Sequence, residues 1–363
     1  MIYEMPTKIV VGENCIKINS NLLKNMGSKA LIVTGANSAK KNGSYDDVAL
    51  ALKHENIPYV LFDEVEENPS LETIEKARDI AITESVDFVI GIGGGSPMDA
   101  AKGIAVLIKN PQLVGDTLIC DKVLDGVPVV AVPTTAGTGS EVTPFAIFTD
   151  HKKQTKLNYG HRVFPKIAFL DAKYMSDMPL TLTRHTALDA FSHLAESYLN
   201  TKSNTLSEIY VRAGVELFGK CIGSLRDGNI SIKDRENLLL ASTYAGIAIA
   251  QTATTLPHAM GYALTYFGGV SHGMANALLY REFFGAFEDK TRINELVGWL
   301  ELDSESQLMD IVDELLGECV ATFSDDILKE QSAIVFANKA KLAGHPEKIT
   351  EEKIFEIYRK SVR

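Results

Sequence analysis

The sequence predicts an α/β plus all-α chain, with an N-terminal parallel-sheet, Rossmann-like domain followed by a C-terminal helical domain. Three observations predict it. Short apolar runs alternate with amphipathic stretches through the first half, the rhythm stops near residue 180, and long helical patterns fill the remainder. Strands joined by crossovers of about a dozen residues pair in parallel, with helices covering the sheet.

The elements follow in order. Lys29–Gly35 is an apolar run closed by glycine and reads as a buried strand. Ser44–Glu55 reads as a helix, with a Ser-x-x-Asp start at Ser44 and Asp47. Tyr59–Val65 is a strand and Ser70–Ser85 an amphipathic helix with Glu72 near its start. Asp87–Gly93 is a third strand, Ser96–Lys109 a helix and Val127–Pro133 a fourth strand. The segment Asp171–Thr183, with Pro179 inside it, closes this half and sets expected domains of 1–180 and 181–363. Beyond it the 3.6-residue period predicts helices at Leu188–Tyr198, Thr205–Phe218, Ile232–Gln251, Met274–Phe284, Arg292–Leu300, Ser306–Leu316 and Glu351–Val362.

At 363 residues the chain can bury two cores, and 45% hydrophobic with 23% charged residues is an ordinary globular composition. A net charge of −11 without a Lys/Arg stripe argues against nucleic acid as a partner. Cys15, Cys120, Cys221 and Cys319 have no C-x-x-C spacing and read as small core residues of a reducing compartment. No apolar run approaches the ~20 residues that span a bilayer, and residues 1–15 lack a basic-then-apolar signal pattern. A cytoplasmic protein with no membrane partner is expected.

Four residues stand out as candidate metal ligands. Asp189 and His193 lie four apart in an apolar helical stretch, so both project from one face and can grip one ion. His258 and His272 are fourteen residues apart, in a segment that reads as a short helix, a glycine-containing turn and a return. One carboxylate with three imidazoles suits Fe(II) or Zn(II).

Two loops are candidate ligand sites. The run from Gly91 to Gly103 (G-I-G-G-G-S-P-M-D-A-A-K-G) follows a strand and opens a helix, with Ser96 as the expected cap and Asp99 in the first turns. Its glycines let backbone N–H groups approach an anion at the helix start. It departs from G-x-G-x-x-G because Ser96 occupies the third glycine position, and it has no Walker ending. The run from Pro133 to Thr143 (P-T-T-A-G-T-G-S-E-V-T) supplies Thr134, Thr135, Thr138 and Ser140 at the carboxyl end of the fourth strand, where α/β sheets bind ligands.

Taken in order, G-G-G-S-P-M-D-A-A-K at 93–102, the threonine loop at 133–143, D-A-F-S-H at 189–193 and the H-x13-H of 258–272 resemble the iron-containing (group III) alcohol dehydrogenase family. The resemblance runs from about residue 1 to 360. It implies a homodimer, with a nicotinamide dinucleotide and a metal in a cleft between the domains. By position, Asp189, His193, His258 and His272 match the metal ligands, while Gly94, Gly95 and Ser96 match the pyrophosphate loop. Thr134, Thr135 and Thr138 match residues lining the cofactor, and Lys156 is a looser match to a cofactor-contacting lysine. The metal would polarise the oxygen of a small alcohol or aldehyde, and a divalent ion with one carboxylate would leave the site at net +1.

Cofactor choice turns on Gly35. Family members using NAD(H) often carry an acidic residue there, which would bind the ribose and repel a 2′-phosphate. Here Gly35, Asn37 and Ser38, with Lys40 and Lys41 beside them, favour NADP(H) over NAD(H). One position departs from the pattern. Four residues after His258, where many members carry another histidine, this chain has Tyr262, which could serve a proton relay or be a packing aromatic. Similar architectures leave three alternatives: a glycerol- or diol-type dehydrogenase, 3-dehydroquinate synthase, and a non-catalytic nucleotide-binding module. The synthase would want Lys and Arg near the ligands, and 189–193 and 258–272 contain none. Phe191, Leu194, Ala253, Leu256, Met260, Tyr262, Leu264 and Phe267 offer an expected apolar wall instead.

Overall fold

A computed structural model describes residues 3–118, 123–152, 155–319 and 321–362; Cys120 lies outside them. The described chain divides into two compact units. One comprises Glu4–Thr135 and Gly139–Met178; the other comprises Tyr3, Ala136–Thr138 and the residues from Pro179 onward.

The first unit is built on a six-stranded parallel sheet. Its strands are β1 (Lys8–Val11), β2 (Ala30–Thr34), β3 (Tyr59–Phe62), β4 (Phe88–Gly93), β5 (Val129–Pro133) and β8 (Ile167–Leu170), in the order β1-β8-β5-β4-β2-β3. The edge strand β1 and its neighbour β8 are absent from the sequence expectation. At four residues each, they are too short to show a period. A separate antiparallel pair, β6 (Ile147–Asp150) and β7 (Thr155–Asn158), also went unexpected. Alternation sorts the central strands into two cores: Leu31, Val33 and Val89 face one, and Ile32, Ile90 and Val130 the other. Each such side chain, fully buried, contributes roughly 1.5–3 kcal/mol.

The chain steps outward from β2 to β3, then returns past β2 to form β4, so the winding reverses between β2 and β4. Ligands of open α/β sheets bind at the carboxyl ends of strands at such a point. Gly35 follows β2 there, and Gly94 follows β4.

Helices α1 (Ser44–His54), α2 (Leu71–Thr83) and α3 (Gly95–Lys109) form where the period placed them, but two expected caps differ. Gly43, with φ of 78°, precedes α1, and the Ser44 hydroxyl donates to the Ala39 carbonyl and Asn42 instead. Asp47 is drawn into ion pairs with Lys17 and Lys173 at 2.7 Å each. Helix α3 starts one residue before Ser96, which accepts a hydrogen bond from the Asn68 N–H.

The second unit is helical. Its centre is α4 (Leu180–Leu199), buried continuously from Ala187 to Leu199 and packed by α5 (Thr205–Asp227) and α6 (Ile232–Thr252). Reciprocal side-chain caps start both neighbours, Asn204 with Ser207 and Ser231 with Asp234. Then come α7 (Leu256–Gly268) and α8 (His272–Leu278). The single helix expected over Met274–Phe284 breaks at Leu279, whose N–H bonds to Asn276 three residues back, and resumes as Tyr280–Gly285. No helix among the described residues is long and apolar enough to cross a membrane.

Candidate metal centre and nucleotide loops

Helix α4 presents Asp189, α7 presents His258 from its first turn, and α8 opens with His272. One ligand atom from each lies within 4.8 Å of the others. His258 Nε2 is 3.7 Å and His272 Nε2 3.8 Å from Asp189 Oδ1. A tetrahedral ion with bonds of about 2.1 Å has ligand-to-ligand edges of roughly 3.4 Å, so the spacing fits a small divalent cation. The Asn276 amide nitrogen marks the point of convergence, 3.0 Å from Asp189 Oδ1 and His258 Nε2 and 3.3 Å from His272 Nε2. Its buried Oδ1 has no hydrogen-bond partner among the described residues.

His193 stands at the rim of this trio. Its ring lies 4.3 Å from that of His258, centroid to centroid, and its Nδ1 donates to the Gly137 carbonyl at 3.3 Å. That tautomer leaves Nε2 as the acceptor nitrogen. Tyr262 stacks along His272 at 6.1 Å with an interplanar angle of 21°.

The close approach of α8 to α4 depends on Gly273. A Cβ there would sit 2.1 Å from the His185 carbonyl oxygen, so the residue after His272 must be glycine for the ring to reach Asp189.

Charge at the cluster is uneven. Burial raises the Asp189 carboxyl, but His193, His272 and His258 outweigh it and hold the group well below the usual carboxylate range. Burial lowers His193 to about 4 despite Asp189. For His258 burial is overcome by Glu196 and Asp189, which push it up to about 9. A cation at Nε2 would compete for that same proton.

Sequence reasoning missed Glu196, Tyr280, Thr255 and Asn276. Glu196 had a usable signal, because positions 189, 193 and 196 share one helix face. Asn276 repeats the four-residue spacing from His272, which alone says little. Part of the expected apolar wall turns elsewhere: Phe191 stacks on Phe218 at 5.1 Å, and Leu194 packs on Gly214, so both face α5. Phe267 is 44% exposed.

In the first unit, the loop after β4 approaches the loop after β5. The Thr134 N–H donates to the Gly93 carbonyl at 2.8 Å, and the Thr135 hydroxyl lies 3.1 Å from where a Gly94 Cβ would stand. Gly93 has φ of 147°, a left-handed conformation that side chains rarely adopt. Asp99 is taken up within the protein: it accepts the Ser140 hydroxyl at 2.5 Å and the Ile147 N–H at 2.9 Å, and stands 3.6 Å from Lys102. Lys102 is fully buried and donates to Ser140 and to the Phe145 carbonyl. Burial lowers its ammonium to about 8 against Asp99 and Glu141.

Around β2, Asn37 precedes a short helix beginning at Ser38, and Lys40 is ion-paired with Asp63 at 2.5 Å. Lys156 lies on β7 opposite Thr149 and is buried. Thr138 belongs to the second unit, beside Gly137.

The fold is shared with solved relatives of the chain. A family model described as iron-containing alcohol dehydrogenase matches residues 6–172, and the model of that family's C-terminal part matches 183–362. The chain belongs to the iron-containing alcohol dehydrogenase family. It is 37% identical to an iron-containing alcohol dehydrogenase of Thermotoga maritima, covering 99% of each chain with a TM-score of 0.92. An NADH-dependent butanol dehydrogenase A of Clostridium acetobutylicum is 31% identical over 76% of this chain and 73% of its own. An NADPH-dependent butanol dehydrogenase of Clostridium saccharobutylicum is 29% identical over 81% and 75%. An alcohol dehydrogenase 4 of Schizosaccharomyces pombe is 31% identical over 76% of this chain and 66% of its own.

Proposed function

We propose that the chain is a metal-dependent alcohol dehydrogenase and aldehyde reductase, moving a hydride between NADP(H) and a short-chain alcohol or aldehyde. The observation that carries the reading is the convergence of Asp189, His258 and His272 on one point. With His193 they would hold the ion, Fe(II) first and Zn(II) as the rival, because carboxylate and imidazole accept either. When bound, the ion supplies Lewis-acid polarisation of the substrate oxygen, and the nicotinamide gives or takes the hydride.

The chain's own groups do the rest. Asp189 is held ionised by its histidine neighbours and lies buried, away from water. Tyr262, alongside His272, offers its hydroxyl to pass a proton to or from the substrate oxygen. Backbone N–H groups at Gly94 and Gly95 and the hydroxyls of Thr134 and Thr135 would hold the pyrophosphate.

Two features bear on the nucleotide. Gly35 brings no carboxylate to repel a 2′-phosphate, and Ser38 and Lys41 follow it, which supports NADP(H). Lys40, however, is engaged by Asp63, which supports NAD(H) as the second reading. The two butanol dehydrogenases divide between these cofactors and make butanal the first substrate to try. The test is nucleotide oxidation with butanal after anaerobic Fe(II) loading. NADPH should outpace NADH, and Tyr262→Phe should lower kcat about tenfold with metal retained. Turnover with NADH alone would reverse the nucleotide assignment, and none with either would remove the substrate class.

A further inference from the structure

Glu196 is a fully buried carboxylate, and its two oxygens receive four donors. Oε1 accepts His258 Nδ1–H at 2.5 Å and, at 3.1 Å, the Tyr280 hydroxyl, whose proton is shared with the nearer Ser192 carbonyl at 2.9 Å. Oε2 accepts the Thr255 N–H at 2.6 Å and the Thr255 hydroxyl at 3.2 Å. An enclosed carboxylate is tolerated only when its lone pairs are satisfied in this way.

The contact to His258 decides which nitrogen of that ring is available. With Nδ1 committed to Glu196, Nε2 is the nitrogen left facing Asp189. The contact to Thr255 fixes the start of α7, the helix that carries His258. The chain enters that helix through Ala253, at φ 63° and ψ 176°, a region almost confined to glycine. Asn200 Nδ2 donates to the carbonyls of Thr252 and Ala253, and Lys341 Nζ to the Thr254 carbonyl and hydroxyl. Every residue of the entry segment is therefore tied, and its strained conformation delivers the Thr255 N–H to Glu196.

We infer that Glu196 is a positioning residue of the cation site, holding His258 with Nε2 on the point shared by Asp189 and His272 and placing a second negative charge beside it. The inference rests on reading Asp189, His258 and His272 as ligands. It also revises the charge expected at the site: two carboxylates balance a divalent ion, where Asp189 alone would leave net +1. Groups that hold a ligand imidazole by its second nitrogen commonly change metal affinity 10–100-fold when removed.

The test is Co(II) titration of the metal-free full-length protein against a competing chelator, followed by the visible absorption of bound Co(II). Glu196→Gln should bind Co(II) about 10–100-fold more weakly with a shifted absorption band. Tyr280→Phe, which removes a hydroxyl shared between the same carboxylate and the Ser192 carbonyl but spares the His258 contact, should change affinity less than about threefold. If Glu196→Gln does not fold, Glu196→Asp takes its place; it retracts the charge from Nδ1, and a loss of about fivefold or more is expected. Parent-like affinity and absorption in the folded Glu196 variant would overturn the inference. So would an equal loss in Tyr280→Phe, because the carboxylate would then act as packing alone. His272→Ala separates the two readings: if it binds Co(II) like the parent, the ligand assignment itself fails.

Discussion

The glycine loops of the first unit and the histidine cluster of the second use opposite materials. At the carboxyl ends of β2, β4 and β5 stand glycine backbone and threonine hydroxyls, while Asp99 and Lys102 turn inward onto Ser140, Phe145 and Ile147. In the helical unit the chemistry is side chains: two carboxylates and three imidazoles drawn from three helices. A backbone site binds through fixed dipoles and needs charge only as internal bracing. A cation site must gather charge at one point and satisfy each ligand from behind. Damage to bracing in the first unit should therefore appear as lost stability, and damage in the second as lost metal.

The largest effect that would break this contrast is at the proposed ligands. Asp189→Ala or His272→Ala should lower turnover at least about a thousandfold and abolish bound metal by elemental analysis, because a stoichiometric site loses a donor. A variant that kept turnover without metal would erase the distinction. Next is Lys102→Met, which leaves the half-buried Asp99 without its cation. A loss of roughly 3 kcal/mol, read as a fall in the calorimetric transition, is expected with metal content unchanged. Gly35→Asp comes third. A carboxylate after β2 should raise the KM for NADPH about tenfold relative to NADH, since it repels a 2′-phosphate. The smallest effect is at Asp47. Burial raises this carboxyl, but Lys17, Lys173 and Tyr174 prevail and hold it below its ordinary value. Its contribution to stability is present above the ordinary carboxylate pKa near ~3.9 and is lost as pH falls through the depressed folded value. The fall in melting temperature between about pH 5 and 3 should thus be shallower in Asp47→Asn.

What the sequence revealed follows the same division. The buried strands β2, β4 and β5 were legible because continuous apolar runs bounded by glycine or proline have few other uses. Asp189 and His193 stood out as candidates because one helical turn separates them, and His258 and His272 because a glycine turn does; the structure gathers Asp189, His258 and His272 and leaves His193 at the rim. Edge strand β1 was not, because four residues of mixed exposure carry no period. The caps expected at Ser44 and Ser96 failed because other partners claimed the hydroxyls: Asn42 Oδ1, just before the helix, took Ser44, and the distant Asn68 N–H took Ser96. The supports of the cluster were hidden for a related reason: Thr255, Asn276 and Tyr280 reach it from 59 to 87 residues away in the chain, a distance that no local pattern encodes. Only Glu196, seven residues beyond Asp189, lay within reach of helix geometry.

The measurement that bears most directly on the central claim is stepwise Fe(II) loading of metal-free protein under argon, with NADPH oxidation by butanal followed at each step. Activity should rise linearly to one ion per chain, level off there, vanish on chelation, and stay absent in His272→Ala at every Fe(II) level. Full activity before any metal is added, or an unchanged rise in His272→Ala, would contradict it.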